Sequence, residues 1–251
     1  MVDQAETLRQ SCVSSLAYGL LFLSGCGIWP FRRRASEDAF AAGAAASSEE
    51  PDGAVLDLVE WGIRLGAAGK PELAAQRLSR AVKNDPNDPA AHYNLGLALD
   101  QMGQYSEAAK SLARAAEIAP DFADARVNLG AALLACGDGP AAVTAFGSAV
   151  ELAPQDAAAW FGLGCAHFAS GNYKEAVDAF REAVKLDADD PEFRFNLGAA
   201  LMRTGQAAEA AIELRAFLDM AGDRFPKQSD YARQAVTAPS AEEIPHGGQD
   251  P

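Results

Sequence analysis

Apolar residues in this chain are spaced three and four positions apart, and the whole pattern returns every 34 residues. Each period contains two such stretches, and the spacing within them is typical of amphipathic helices. A glycine separates the two stretches in every period: Gly69, Gly103, Gly137, Gly171 and Gly205. Because glycine is favoured just after the last turn of a helix, the pattern predicts five helical hairpins in an all-α protein.

A second set of glycines lies inside the first predicted helix of each hairpin. These are Gly62, Gly96, Gly130, Gly164 and Gly198, and each is followed at a fixed distance by an alanine: Ala74, Ala108, Ala142, Ala176 and Ala210. A glycine in a helix costs about 1 kcal/mol relative to alanine, so its recurrence predicts a place where two helices cross closely. The second helices are expected to end at Pro86, Pro120 and Pro154, because proline cannot continue a helix.

The complete pattern is visible from Tyr93 to Pro120 and from Trp160 to Leu186. A helix–turn–helix unit of this length resembles the tetratricopeptide repeat. The resemblance divides the chain, without insertion, into repeats at 55–88, 89–122, 123–156, 157–190 and 191–224. It implies a right-handed α-solenoid of five hairpins. We expect a capping helix over 225–236 and a disordered tail over 237–251.

Composition narrows the classes of function. The formal charge of −14 and the pI near 4.6 argue against nucleic-acid binding, which needs a basic surface. His92 occupies a position that holds Trp160 in another repeat, and His167 occupies one that holds leucine elsewhere, so both are predicted to pack as apolar residues. No metal, nucleophile or phosphate-loop motif is present. We therefore expect no enzyme, no cofactor and no small-molecule substrate, with an accessory subunit of an enzyme as an alternative.

The N-terminal segment contains an apolar run from Val13 to Leu23, suited to the core of a signal peptide. Directly after it, Leu23, Ser24, Gly25 and Cys26 resemble a bacterial lipobox. This resemblance implies that residues 1–25 are removed, that Cys26 is lipidated, and that 26–54 form a flexible tether. Glycine, not aspartate, follows Cys26, which favours a lipid anchor in the outer membrane facing the periplasm.

The charges flanking the apolar run support a second interpretation. Asp3 and Glu6 precede the run, whereas Arg32, Arg33 and Arg34 follow it. If residues 12–31 stayed as an uncleaved membrane helix, the excess of arginine after it would place the repeats in the cytoplasm. A membrane-tethered cytoplasmic adaptor is therefore the alternative. In either compartment, Cys136 and Cys165 are expected to lie too far apart for a disulfide.

In tetratricopeptide proteins, ligands commonly lie on a concave face formed by the first helices, and the resemblance implies such a groove here. Asparagine recurs at one repeat position as Asn94, Asn128 and Asn196, and these amides are expected to hold the backbone of a bound peptide. The other predicted lining residues are Tyr93, Leu97, Val127, Leu134, Phe161, Phe168, Phe195, Met202 and Arg203. The alternative is that these positions form only a solvated helix face.

These observations together predict a non-catalytic scaffold, bound to the membrane through lipid, whose partner is a protein or peptide. In its lipobox and repeat count the chain resembles lipoproteins that assist the assembly of Flp/Tad or type IV pili and related secretion machines. The paired cations with which chaperone-binding members of the family hold a terminal carboxylate are absent from the matching positions.

Overall fold

The computed structural model describes residues 58–237 of the 251-residue chain. The signal peptide, Cys26 and the tether predicted at 26–54 lie outside the described residues, as does the predicted tail from residue 238 onward. Within 58–237 the backbone forms eleven α-helices and one short 3-10 helix, without any strand. The α-helices are α1 (Leu58–Ala67), α2 (Pro71–Asn84), α3 (Pro89–Gln101), α4 (Tyr105–Ile118), α5 (Ala123–Ala135), α6 (Gly139–Leu152), α7 (Ala157–Ala169), α8 (Tyr173–Leu186), α9 (Pro191–Arg203), α10 (Ala207–Ala221) and α11 (Pro226–Thr237).

Helices α1 to α10 form five antiparallel hairpins of consecutive helices, and α11 packs against α10. Each turn closes at its predicted glycine in the left-handed region, as at Gly137 with φ of 80°. There the amide of Gly137 donates to the Leu134 carbonyl and that of Asp138 to the Leu133 carbonyl, each at 2.9 Å. These bonds satisfy carbonyls that the helix end leaves without partners. The predicted hairpins are confirmed, and Thr237, predicted to start the tail, belongs to α11 instead.

The glycines inside the first helices face large side chains of the second helices. A Cβ atom built on Gly130 would lie 2.6 Å from the Phe146 ring, and Phe146 is itself fully buried. Gly62, Gly96, Gly164 and Gly198 face Leu78, Leu112, Phe180 and Leu214 in the same way, each within 2.7 Å. The predicted close crossing is confirmed, because any larger residue would overlap these side chains.

A second recurring contact joins four of the first helices, α3, α5, α7 and α9, to the loop that precedes each of them. His92 Nε2 lies 3.1 Å from the Pro86 carbonyl oxygen, and Trp160 Nε1 donates to the Pro154 carbonyl at 2.9 Å. Arg126 and Arg194 donate in the same way to the carbonyls of Pro120 and Ala188, at 2.7 and 3.0 Å. His92 therefore makes the contact that Trp160 makes in its own repeat, and this contact to a carbonyl is a polar interaction that the prediction of apolar packing did not include.

The second helices of the first three repeats end beside the prolines that were predicted to stop them. Helices α2, α4 and α6 end two residues before Pro86, Pro120 and Pro154, and α8 ends at the equivalent residue although Ala188 stands in the place of proline. Proline is consistent with these helix ends, but the fourth repeat shows that it is not required for them.

The described residues fall into two compact units that divide after Ala153. In the first unit, 58–153, alanines such as Ala74 and Ala108 are fully buried beside leucines from both helices of a hairpin. In the second unit, 154–237, large aromatic side chains fill the core, and Phe180 and Phe217 are almost fully buried. None of the described helices has the length and apolar character needed to cross a membrane.

Candidate functional site

The first unit presents two of the three predicted asparagines on neighbouring first helices, α3 and α5, which contact each other. Asn94 Nδ2 donates to the Ala90 carbonyl at 2.8 Å, and Asn128 Nδ2 donates to the Asp124 carbonyl at the same distance. Both partners lie four residues earlier on the same helix, so each amide is anchored to its own helix. Neither amide oxygen accepts a hydrogen bond from another described residue.

Tyr93 links the second repeat to the third. Its ring lies 4.7 Å from that of Phe122, and its hydroxyl accepts a 3.2 Å hydrogen bond from Asn128 Nδ2. Burial raises the pKa of the Tyr93 hydroxyl above its usual range, Asp124 raises it further, and the bond from Asn128 opposes this. Tyr93 therefore stays protonated at neutral pH. It serves mainly to hold Asn128 in position, and less as an apolar surface for a ligand.

The apolar lining of the first unit differs in part from the prediction. Leu97 and Leu134 are partly exposed, as a lining requires. Val127 is only 6% exposed and belongs to the core, so its predicted place in the lining is wrong. Ile63 was missed, although it stands 34 residues before Leu97 and is 37% exposed. We call the exposed set Ile63, Asn94, Leu97, Asn128 and Leu134 the first-helix face of the first unit.

In the second unit, the third asparagine repeats the geometry of the first two. Asn196 Nδ2 donates to the Glu192 carbonyl at 2.8 Å, again four residues earlier on the helix. Phe161, in contrast, is 4% exposed, with its ring stacked on Phe193 at 4.7 Å and close to Phe180 at 5.6 Å. Phe161 is therefore a core residue, and its predicted place in the lining is wrong.

Helix α11 covers part of the predicted lining on α9. The Phe195 ring lies 5.1 Å from that of Phe217 and 5.8 Å from that of Tyr231, which belongs to α11. Met202 packs into the same cluster. Phe195 and Met202 remain partly exposed, but much of the apolar surface predicted to line the groove packs against α11 instead.

In the second unit, Phe168 of α7 and Arg203 of α9 both contact Tyr173 of α8. The rings of Phe168 and Tyr173 lie edge to face at 5.2 Å. The Arg203 guanidinium lies over the Tyr173 ring, 4.4 Å from its centre, and Arg203 Nη2 donates to the Tyr173 hydroxyl at 2.7 Å. Tyr173 was not predicted as a site residue, although Tyr105 stands at the same repeat position and marked it as a recurring aromatic position.

Among residues 58–237, the other groups considered as candidate bases or nucleophiles are His167, Cys136 and Cys165. Burial lowers the pKa of His167, with Glu175 opposing, and His167 Nδ1 is buried without a hydrogen-bond partner. Cys136 is exposed and Cys165 buried; both are free, and burial raises the pKa of the Cys165 thiol. Between residues 58 and 237, no group of three histidine, cysteine, aspartate or glutamate side chains is placed to hold a metal ion.

Comparison with solved structures shows the same fold in other proteins. MamA residues 41 to the end from Desulfovibrio magneticus RS-1 is 26% identical with a TM-score of 0.62, and the match covers 68% of this chain and 99% of that one. YrrB, described as a TPR protein with an unusual peptide-binding site, is 21% identical with a TM-score of 0.62, covering 70% and 90%. TTC0263, a thermophilic TPR protein in Thermus thermophilus, is 22% identical with a TM-score of 0.55, covering 71% and 97%.

No curated protein matches this sequence significantly. The family model for the tetratricopeptide repeat matches four overlapping ranges, 59–121, 96–157, 127–191 and 161–228, which together span the hairpins and reach into α11. With the all-helical fold, these matches define a helical solenoid of the tetratricopeptide type. The chain therefore belongs to the tetratricopeptide repeat family.

Proposed function

We propose that this protein is a non-catalytic scaffold that binds an extended segment of a partner protein on its first helices. The observation that supports this most directly is the anchored amide at one repeat position, present as Asn94, Asn128 and Asn196. An amide whose nitrogen is bonded to its own helix has lost side-chain freedom before a ligand arrives. Its oxygen can then accept a hydrogen bond from a ligand backbone at a smaller cost in entropy.

The spacing of these amides suits a particular backbone conformation. Helices that pack against each other lie about 8–10 Å apart, and Asn94 and Asn128 stand on the contacting helices α3 and α5. A polyproline II segment advances about 9 Å in one turn of three residues. Asn94 and Asn128 are therefore spaced to contact every third residue of such a segment, with Ile63, Leu97 and Leu134 beside its side chains.

The family supports the same class of function. Tetratricopeptide proteins are generally scaffolds for protein–protein interaction, and the structural neighbour YrrB is described as having a peptide-binding site. That this chain binds an extended segment of a partner protein is our proposal.

The test is capture of partners with the wild-type protein, followed by the same experiment with Asn94, Asn128 and Asn196 all changed to alanine. Partly exposed helix-face substitutions usually change stability by no more than about 0.5 kcal/mol each, and Asn128→Ala also removes the bond to the Tyr93 hydroxyl, at a cost of about 1 kcal/mol. Helicity should therefore be close to wild type, with a melting temperature a few degrees lower. Capture should fall sharply, since a ligand group left unpaired costs roughly 1–3 kcal/mol. Equal capture of the same proteins by the triple variant would show that the amides are only solvated surface.

We further propose that the protein is lipidated on Cys26 and held in a bacterial envelope, facing the periplasm from the outer membrane. The support is the sequence Leu23, Ser24, Gly25 and Cys26 after an apolar run. The resemblance to pilus and secretion lipoproteins suggests that the partner is a component of such a machine.

Mass spectrometry of the N-terminus, extracted in detergent, tests the anchor. We expect the mature chain to begin at Cys26 with acyl chains attached, and the Cys26→Ala variant to accumulate as an unprocessed precursor. An intact, unacylated N-terminus would instead support the cytoplasmic adaptor, for which Arg32, Arg33 and Arg34 after the apolar run are the supporting observation.

A further inference from the structure

Unlike the other partly buried arginines of the second unit, Arg203 has no carboxylate partner among residues 58–237. Arg181 Nη2 donates to both carboxylate oxygens of Glu209, at 2.7 and 2.9 Å. Arg194 pairs with Glu213 at 2.9 Å. Arg203 lies over the ring of Tyr173, donates to its hydroxyl and makes no ion pair within the described part of the chain.

The guanidinium of Arg203 is nevertheless held firmly. The Tyr173 ring lies under it at 4.4 Å, the Tyr173 hydroxyl accepts one of its hydrogens, and Phe168 supports Tyr173 from the side at 5.2 Å. Five N–H groups point outward from a guanidinium, and one of them is used here. The remaining donors can bind a carboxylate in the parallel two-bond geometry that arginine favours.

We propose that Arg203, Tyr173 and Phe168 form a subsite for the side-chain carboxylate of an aspartate or glutamate that has apolar neighbours in the bound segment. This rests on the proposed function, because it assigns a residue type to one position of the segment held by Asn196. Arg203 lies seven residues after Asn196 on α9, which is two turns or about 10.5 Å along the same side.

The charge of the protein favours one carboxylate over a phosphate group. One guanidinium balances one carboxylate, whereas a phosphate carries up to two charges and would enter a chain whose formal charge is already −14. The rings of Phe168 and Tyr173 offer apolar contact to the neighbours of the acidic residue. Partial exclusion of water by these rings strengthens the charged hydrogen bonds.

The test uses the full chain and three pools of immobilised hexapeptides, acetylated and amidated so that no terminal charge is present. One position is fixed as aspartate, asparagine or lysine, and the other five are randomised. Wild-type protein should be retained about tenfold better by the aspartate pool than by the asparagine pool. A hydrogen bond to a charged group contributes more binding free energy than one to a neutral group, and the difference corresponds to about tenfold in affinity. Retention by the lysine pool should be the lowest of the three.

Three variants locate the effect. Arg203→Gln should remove the preference for aspartate, so that the aspartate and asparagine pools are retained to the same extent. Tyr173→Phe keeps the ring and loses the hydroxyl, so the preference should fall by a few-fold without disappearing. Arg215→Gln is the matched control, because Arg215 is exposed on α10 and lies outside the subsite, and it should keep the full preference. Circular dichroism confirms that each variant folds.

The outcomes separate this subsite from the proposed function as a whole. If wild type binds the aspartate and asparagine pools equally, the subsite is refuted and backbone binding stands. If Arg203→Gln keeps the preference for aspartate, another residue causes it and the subsite is refuted. If no pool is retained, both the subsite and the binding of extended segments are refuted.

Discussion

Two glycines of one hairpin offer a direct test of why glycine recurs inside these helices. Gly130 lies in α5 and faces the ring of Phe146, where an added Cβ would lie 2.6 Å from ring atoms. Gly147 lies one residue after Phe146 in α6, and an added Cβ there would meet nothing within 4 Å. The same substitution, glycine to alanine, therefore adds the same methyl group to a closed site and to an open one.

The expected magnitudes follow from two opposing terms. Alanine is favoured over glycine in a helix by about 1 kcal/mol, and this gain applies to both positions. At Gly130 the methyl group overlaps Phe146, which is fully buried and cannot move aside, and overpacking of a core typically costs about 1–3 kcal/mol. Taking the upper end for so short a contact, Gly130→Ala should lower the free energy of unfolding by about 2 kcal/mol. Gly147→Ala should raise it by about 1 kcal/mol.

Thermal and chemical unfolding, followed by far-UV circular dichroism, measure both changes. For a chain of this size 1 kcal/mol corresponds to roughly 2–4 °C in melting temperature. Gly147→Ala should therefore melt about 3 °C higher than wild type and Gly130→Ala about 6 °C lower. The two variants carry the same new residue, so each is the control for the other.

A double variant tests whether Phe146 is the cause. Phe146→Ala alone should cost about 3–5 kcal/mol through loss of buried surface. Combined with Gly130→Ala, which then places its methyl group in the vacated space, the total loss should be smaller than the sum of the single losses. The reasoning is refuted if Gly130→Ala stabilises the protein as much as Gly147→Ala does. Additive losses in the double variant would refute it as well.

Two further predictions concern titratable side chains. Because burial raises the pKa of Tyr93 in the folded state, both states are protonated below the ordinary tyrosine value of about 10, and the full stability is present there. As pH rises beyond that value the unfolded state releases its proton first, so stability should fall; Tyr93→Phe, compared by denaturant titration across this range, should reduce the fall. An equal fall in the variant would exclude Tyr93 as its source. For the cysteines, alkylation of the native protein followed by peptide mass mapping should label exposed Cys136 and spare buried Cys165, while mapping without reductant should find them unlinked. Labelling of Cys165 at the same rate as Cys136, without unfolding, would contradict its burial.

The spacing of glycines and apolar residues along the chain was sufficient to predict the helices and their turns. The glycines at Gly69 and its equivalents were predicted as helix ends, and all five have the left-handed backbone that such ends use. The glycines at Gly62 and its equivalents were predicted as close crossings, and all five face a large buried side chain. Both predictions succeeded because the causes are local: a turn needs a positive φ, and a crossing within one hairpin depends on residues close in sequence.

The repeat position of a first-helix residue does not predict whether its side chain is exposed, because exposure depends on contacts with neighbouring helices. Tyr93, Val127, Phe161 and Phe195 share one position in the repeat, yet Val127 and Phe161 are buried while Tyr93 and Phe195 stay partly exposed. Phe161 is covered because Phe193 of the next repeat stacks on it. Phe195 is covered from one side by Tyr231, which belongs to a helix outside the repeat pattern.

The hairpins, their length and the recurring asparagine can thus be predicted from the pattern of residues along the chain. The accessible side chains of the first helices, the bond of His92 to a carbonyl and the place of Tyr173 under Arg203 become apparent only in the folded protein. Helix formation and capping depend on neighbours within a few residues. Burial and the pairing of a charge depend on whichever side chain the next packed helix brings against them.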